Sequence, residues 1–518
     1  MRNRSYQFRK IANQSMKIQV PRLLYDVIAP LLLGAMLTLA FAPYEIFPFA
    51  ILAPVGLFFL WLQSSPTRAF WQGFIFGFGF FGTGVYWVFH SIHTFGGVPT
   101  PIAIFITTIF IAILALFPAA VGGIVNRYFP VLNNTKIILA YPVSWVISEW
   151  IRSWIFTGFP WLFIGYSQTN SPLAGYAPLL GVFSISLATL ISSGLIVATI
   201  IQLKQHHFRT GYFYLFLFTL IWIIGGLLSL LPWTHPKGQP ISVSLVQGNI
   251  PQAIKWSPEH LKLSLDRYAE MTEPLWGKQE MIIWPEAAIP MSLEDAAPFI
   301  ELMDNKAQTS HSYLILGIPI QAENQLGYYN SIVVLGKNRQ VYLKRRLVPF
   351  GEFIPTFPII SKFFDFMSIP MSNLIPGSNN QPPLEIGDIK ILPSICYEIA
   401  FPELINTSNS DIGILLTITN DAWFGRSSAE AQHLQMAAMR ALELRRPLIF
   451  VSNDGITAII NAYGKIESAA PQYQSYVLNS RVQAMIGKTP WMMFRMDPML
   501  IILISLLIIA ILDNRRHT

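Results

Sequence analysis

Glu286, Lys344 and Cys396 lie far apart in the chain, yet each ends a run of β-type residues and opens a turn or proline-containing segment. In layered α/β domains the reacting groups gather at the carboxyl ends of strands. These three residue types suffice for acyl transfer without a metal. A thiolate attacks an acyl carbon, and a carboxylate held nearby removes the thiol proton. A fixed ammonium, with hydrogen-bond donors, then holds the oxyanion. Taken singly, each residue also has an ordinary reading. Glu286, in WPEAAIP, suits the cap of a helix starting there, and Lys344, in the basic run KRR, suits a solvated face or a headgroup contact. Cys396, in PSICYEIAFPE, is the only cysteine in 518 residues. A lone thiol in an oxidising compartment is either buried and inert or kept for its reactivity.

The elements that must position these groups alternate between strand and helix. ISVSLVQGNI (241–250), MIIWPE (281–286), SYLILGIPI, SIVVLGKN, QVYLKRRL, IKILPSICYE and GILLTITN (413–420) read as strands. EHLKLSLDRYAEMTEPL (259–275) and SSAEAQHLQMAAMRALELRR (427–446) have helical spacing, and LIFVSNDGITAIINAYGKI reads as a hairpin. Such alternation gives an α/β layered domain.

Around this segment the composition changes. The hydrophobic fraction is 53%, charged residues are 12%, and the mean hydropathy is +0.45, all outside the soluble range. Residues 24–231 are almost continuously apolar, as are 498–512. A span needs about 20 apolar residues. Seven candidate spans centre near residues 33, 55, 80, 113, 147, 189 and 222, and an eighth lies near 505; the first two and the last are short or proline-interrupted. Ala40-Phe41-Ala42 imitates a signal-peptide cleavage site, but the long charged arm before it and the spans after it argue for retention. Arg2, Arg4, Arg9, Lys10, Lys17 and Arg22 precede the first span, and Arg68, Arg127, Lys136, Lys204, Arg209, Arg515 and Arg516 fall in alternate connections. The positive-inside rule makes that set cytoplasmic, so seven spans put the α/β domain outside. The net charge of +7 follows from this topology, and no motif points to a nucleic acid. The expected organisation is a basic arm (1–23), a seven-helix membrane domain (24–232), the α/β domain (233–490) and a final span with a cytoplasmic tail (491–518).

WPEAAIP, YLKRRLVPFGEFIP, SICYEIAFPE and TNDAWFG, in that order, resemble the nitrilase superfamily. More closely, with SEWIRSWIFTGFPWLFIGYSQ (148–168) and VQGNIPQAIKW (246–256), they resemble its membrane-embedded branch, the apolipoprotein N-acyltransferases of bacterial inner membranes. The likeness implies an α-helical polytopic domain of about eight spans joined to a nitrilase-like αββα sandwich. It implies Glu286 as general base, Lys344 as oxyanion stabiliser and Cys396 as nucleophile, supported by Glu352, Tyr397 and Glu398. A phospholipid, typically phosphatidylethanolamine, would acylate Cys396, and the α-amine of a diacylglyceryl-cysteine lipoprotein would take the acyl group. No cofactor or metal is implied, and the family acts as a monomer.

Trp256 matches a tryptophan of the family's lipid mouth, though an interfacial anchor is a close rival. Trp423, in TNDAWFG, and Phe357, Phe363 and Phe366, in the Pro-rich loop IPTFPIISKFFDFMSIPMSNL (354–374), are further candidates for contact with acyl chains. Glu149 and Arg152, three apart in span five, read as a structural pair orienting the GFPW loop. His90 and His93 have metal-like spacing without a nearby third ligand, so interfacial histidines are expected. The loop RSSAEAQHL departs from the family, where Gly-Pro commonly precedes the Gln-His pair. Two rival readings remain: a membrane-tethered nitrilase-type amidase, and a scaffold that only binds lipoproteins.

Overall fold

The computed structural model describes residues 22–323, 327–353 and 373–517. Phe357, Phe363 and Phe366 lie outside the described residues. The chain divides into two compact units: one takes in the chain up to Tyr86, Ile104–Leu231 and the chain from Phe494; the other takes in Trp87–Ala103 and Pro232–Met493.

In the first unit, aliphatic and aromatic runs form helices because lipid-like surroundings leave backbone groups no partner outside the segment itself. Helices occupy all eight centres read from the sequence. Four of them, Thr100–Tyr128, Pro172–Lys204, Phe208–Ser229 and Asp497–His517, are long and apolar enough to cross a membrane, and Pro66–Gly84 adds a fifth if counted with the turns that follow it. Leu24–Thr38 and Phe49–Leu62 are shorter, and Pro43 and Pro48 interrupt the apolar run between them. The last helix, expected to be short, runs for 21 residues. Gly34 and Gly79 let two helices meet backbone to backbone: a Cβ at Gly34 would lie 2.0 Å from the Phe76 carbonyl oxygen, and one at Gly79 2.3 Å from that of Leu31. Arg152, itself buried, donates to the carbonyls of Phe159 and Trp161 (3.1 and 2.5 Å), and Glu149 accepts from the Ile164 N–H at 2.8 Å. Arg152 thus holds the GFPW loop, and Glu149 holds the turn that opens just after it.

The second unit is built on strands: β1 (Thr234–Pro236), β2 (Ile241–Gln247), β3 (Met281–Ile283), β4 (Tyr313–Gln321), β5 (Tyr328–Leu335), β6 (Gln340–Leu343), β7 (Leu384–Ile386), β8 (Ile389–Ile395), β9 (Ile412–Thr419), β10 (Leu448–Ser452), β11 (Ala458–Ile460), β12 (Ile466–Ala469), β13 (Tyr476–Val482) and β14 (Met485–Gly487). Two six-stranded sheets run β13-β2-β3-β4-β5-β6 and β12-β11-β10-β9-β8-β7. They face each other through β2 against β10 and β5 against β8. Helices Leu261–Thr272 and Ala297–Thr309 cover the first sheet, and Ala429–Leu444 covers the second. The result is the expected αββα sandwich.

The central strands are parallel and continuously apolar because both their faces are buried: β2, β3 and β4 align Leu245 with Ile283 and Ile283 with Ile315, while β8 and β9 align Ile395 with Ile418. Between the first sheet and its helices lie Tyr268, Ile282, Trp284, Ile300, Met303 and Leu316. Trp284 is fully buried and donates its indole N–H to the Thr272 hydroxyl at 2.9 Å. A side chain so placed contributes about 1.5–3 kcal/mol by burial.

One strand is shorter than its sequence predicts. QVYLKRRL leaves the ladder after Leu343, because the amides of Arg345 and Arg346 turn to the Glu398 carboxylate at 2.6 and 3.2 Å.

Candidate active site

Glu286 stands three residues beyond the end of β3, whose pairing continues through the Trp284 N–H to the Ile315 carbonyl at 2.8 Å. The chain then crosses over β4 at Gly317, where a Cβ would lie 2.6 Å from the Pro285 oxygen and 2.7 Å from Glu286 Cα. Glycine alone permits that approach. Ala287 follows with φ 46°. The Glu286 carboxylate accepts Asn330 Nδ2 at 2.7 Å and Lys344 Nζ at 3.3 Å. Its main-chain oxygen accepts Lys255 Nζ at 3.1 Å. Lys255 is buried, and that burial lowers its pKa to about 8 despite the opposing charges of Glu286 and Asp454.

Lys344 follows β6 directly. Its Nζ lies 2.7 Å from Glu352 Oε1 as well as 3.3 Å from Glu286 Oε1, so one ammonium faces two carboxylates. Burial pulls its pKa down, but Glu352 and Glu286 outweigh burial and leave it well above the ordinary lysine value. Glu352 is fixed in turn by the Val348 N–H at 2.8 Å and by Asn330 Nδ2 at 3.2 Å. Asn330 therefore bridges both carboxylates. The sequence reading missed it, although a polar side chain within the apolar strand YYNSIVV was a visible signal. Lys255 was missed as well, inside the quoted motif QAIKW.

Cys396 follows β8 and opens the 3-10 turn Cys396–Ala400. Glu398 pins this turn to the segment after Lys344. One carboxylate oxygen accepts the Arg345 and Arg346 N–H groups; the other accepts the Ile395 N–H at 2.7 Å and the Tyr342 hydroxyl at 2.9 Å. Burial raises the pKa of Glu398 even against Arg345 and the backbone donors. The Cys396 thiol is buried. Burial first, then Glu286, push its pKa well above 9, with Lys344 opposing them. The resting group is a neutral thiol beside a carboxylate, so a base must act before the sulfur can attack.

The structure brings Glu286, Lys344, Glu352, Cys396 and Glu398 together. Tyr397 packs edge-on against Phe401 at 4.9 Å. Trp256 lines a cavity of about 280 Å³ with Met291, Asp295, Pro319 and Tyr328, and its buried indole N–H has no hydrogen-bond partner among the described residues. Trp423 stands edge-on to Phe95 at 5.2 Å and accepts the Ser91 hydroxyl on its carbonyl at 2.7 Å. Arg426, in the departing loop, lies 4.5 Å over the Tyr473 ring. Nearby, Glu430 accepts the Tyr473 hydroxyl at 2.9 Å, and burial followed by Asp421 raises its pKa to about 8. Among the described residues no group of three His, Cys, Asp or Glu side chains is placed to hold a metal ion.

A lone buried thiol, a buried ammonium and a carboxylate at strand ends of an αββα sandwich fit a carbon–nitrogen hydrolase domain. The model of that family, carbon-nitrogen hydrolase, matches residues 242–490. The apolipoprotein N-acyltransferase N-terminal domain matches residues 33–195. An apolipoprotein N-acyltransferase of Coxiella burnetii is 42% identical over 483 residues, covering 93% of this chain and 99% of its own. One of Azotobacter vinelandii is 39% identical over 487 residues, covering 93% and 94%. A CN-hydrolase superfamily protein of Xanthomonas campestris, of solved structure, is 18% identical and covers 48% of this chain and 91% of its own at a TM-score of 0.38. The chain belongs to the apolipoprotein N-acyltransferase family.

Proposed function

We propose that the protein moves a fatty acyl chain from a phospholipid, phosphatidylethanolamine in this reading, to the α-amine of a lipoprotein's N-terminal diacylglyceryl-cysteine. The observation that carries the reading is Lys344, whose ammonium lies 3.3 and 2.7 Å from two carboxylates and acts electrostatically on the chain's one thiol. Glu286 takes the Cys396 proton, and the thiolate attacks the ester carbonyl. Lys344 stabilises the oxyanion. The lysophospholipid oxygen leaves with the proton from Glu286, and a thioester remains on Cys396. The lipoprotein amine then attacks the thioester and passes its proton to Glu286. Collapse frees the Cys396 sulfur, which regains a proton, and the lipoprotein is N-acylated. Covalent catalysis divides one difficult transfer into two easier ones.

Glu352 and Glu398 hold Lys344 and the nucleophile turn, and Tyr397 flanks the sulfur. Trp256, Trp423, Phe357, Phe363 and Phe366 are assigned to the lipid chains. The family resemblance supports a monomer in a bacterial inner membrane, and the asymmetry of loop Lys and Arg supports a periplasmic α/β unit with both termini cytoplasmic. The eight helical centres favour this reading over a tethered amidase, for which one anchor would suffice.

Transfer from phosphatidylethanolamine to a diacylated lipopeptide, followed by mass spectrometry, tests the proposal with Cys396→Ala and Cys396→Ser. Both variants are expected to abolish N-acylated product. Product formation by Cys396→Ala at the wild-type rate would sink the nucleophile assignment, and hydrolysis of small amides without transfer would point to the amidase.

A further inference from the structure

Cys396 adopts φ 51°, in the left-handed region. A side chain other than glycine stays there only where its surroundings enforce it. On the amino side, Glu398 holds the Ile395 N–H. On the carboxyl side, the Cys396 carbonyl meets His433 Nε2 at 3.1 Å. The other ring nitrogen, Nδ1, lies 3.0 Å from Asp421 Oδ1, which also accepts the Thr419 hydroxyl at 2.8 Å. The bonds thus run from the Cys396 carbonyl through His433 and Asp421 to the end of β9.

His433, Asp421 and Thr419 are all 0% exposed. Rings of Phe424 and Phe450 stand edge-on to the imidazole, at 6.2 and 5.3 Å, and confine its plane. A carbonyl only accepts, so Nε2 is the donor in that bond. Helix Ala429–Leu444, the turn after β9 and the nucleophile turn after β8 are joined at this one ring.

We propose that His433, oriented by Asp421, is a positioning residue for the nucleophile. By donating to the Cys396 carbonyl it holds the left-handed turn that aims Sγ at Glu286 and Lys344. This rests on Cys396 being the nucleophile.

Glutamine and asparagine separate the two ends of the ring. Gln places an amide N–H where Nε2 stands, whereas Asn reaches only the position of Nδ1. The measurement is the single-turnover rate of Cys396 acylation by phosphatidylethanolamine in detergent, together with the lipid KM and the melting temperature. His433→Asn is expected to slow acylation about a hundredfold, the scale of a small misplacement of a reacting atom, while KM changes by less than about threefold. His433→Gln is expected to recover to within about tenfold of wild type. Asp421→Asn, which keeps a hydrogen-bonding side chain of the same shape, falls between them and serves if His433→Asn does not fold. Undiminished acylation in His433→Asn or Asp421→Asn, or His433→Gln no better than His433→Asn, overturns the inference while leaving the nucleophile assignment intact. A wild-type protein that never acylates Cys396 overturns both.

Discussion

At the scale of single residues the candidate site is governed by buried Lys344 and Glu286, half-buried Glu352 and one buried thiol. Two carboxylates share the Lys344 ammonium, so each has its charge offset without leaving the pocket. Asn330 adds a donor to both, and the Glu286 carboxylate is thereby held in place. The thiol is held neutral by burial and by the Glu286 charge, and these two causes can be separated by mutation. Glu286→Gln removes the negative charge and keeps the shape. The thiol then becomes more acidic, since one cause of its raised pKa is gone, and alkylation by a small neutral reagent at fixed pH becomes faster. Acyl transfer falls in the same variant, because the proton acceptor is lost. The two opposite changes, read by alkylation kinetics and a transfer assay, distinguish a base from a merely structural carboxylate; slower alkylation with slower transfer contradicts the assignment.

At the scale of elements, strand ends decide what the side chains can reach. Continuous apolar runs are legible as strands buried on both faces, so the setting of Glu286, Lys344 and Cys396 can be read from local pattern. Helix Ala297–Thr309 was also within reach, since Phe299, Ile300, Met303 and Ala307 recur at helical spacing behind Pro298, yet the reading passed over it. What local pattern cannot reveal is the early end of β6, because the carboxylate that draws its last amides away comes from Glu398, more than fifty residues on. The bond from His433 to Cys396 O is invisible for the same reason: His433 lies on a helix that otherwise reads as ordinary core. Gly317 is the residue through which β4 positions the candidate base. Gly317→Ala places a methyl group within 2.7 Å of the Glu286 backbone, and relief by a backbone shift costs about 1–3 kcal/mol. The expected result is a lower melting temperature with transfer reduced further than the lost stability explains, and unchanged transfer would show that the crossover does not position Glu286.

At the scale of the molecule, a polytopic helical unit and an αββα unit occur in one chain, and the family resemblance extends over both. An acyl donor and an acceptor anchored in the same bilayer make that combination intelligible, because neither substrate need leave the lipid. In the proposed mechanism the lone cysteine carries the acyl group between them. Its most direct test is mass spectrometry of the intact detergent-purified protein and its peptides after mixing with phosphatidylethanolamine of known chains. One fatty-acyl mass is expected on the Cys396 peptide, released by neutral hydroxylamine and missing from Glu286→Gln. An unmodified Cys396 whose thiol is still open to alkylation after that exposure would contradict it.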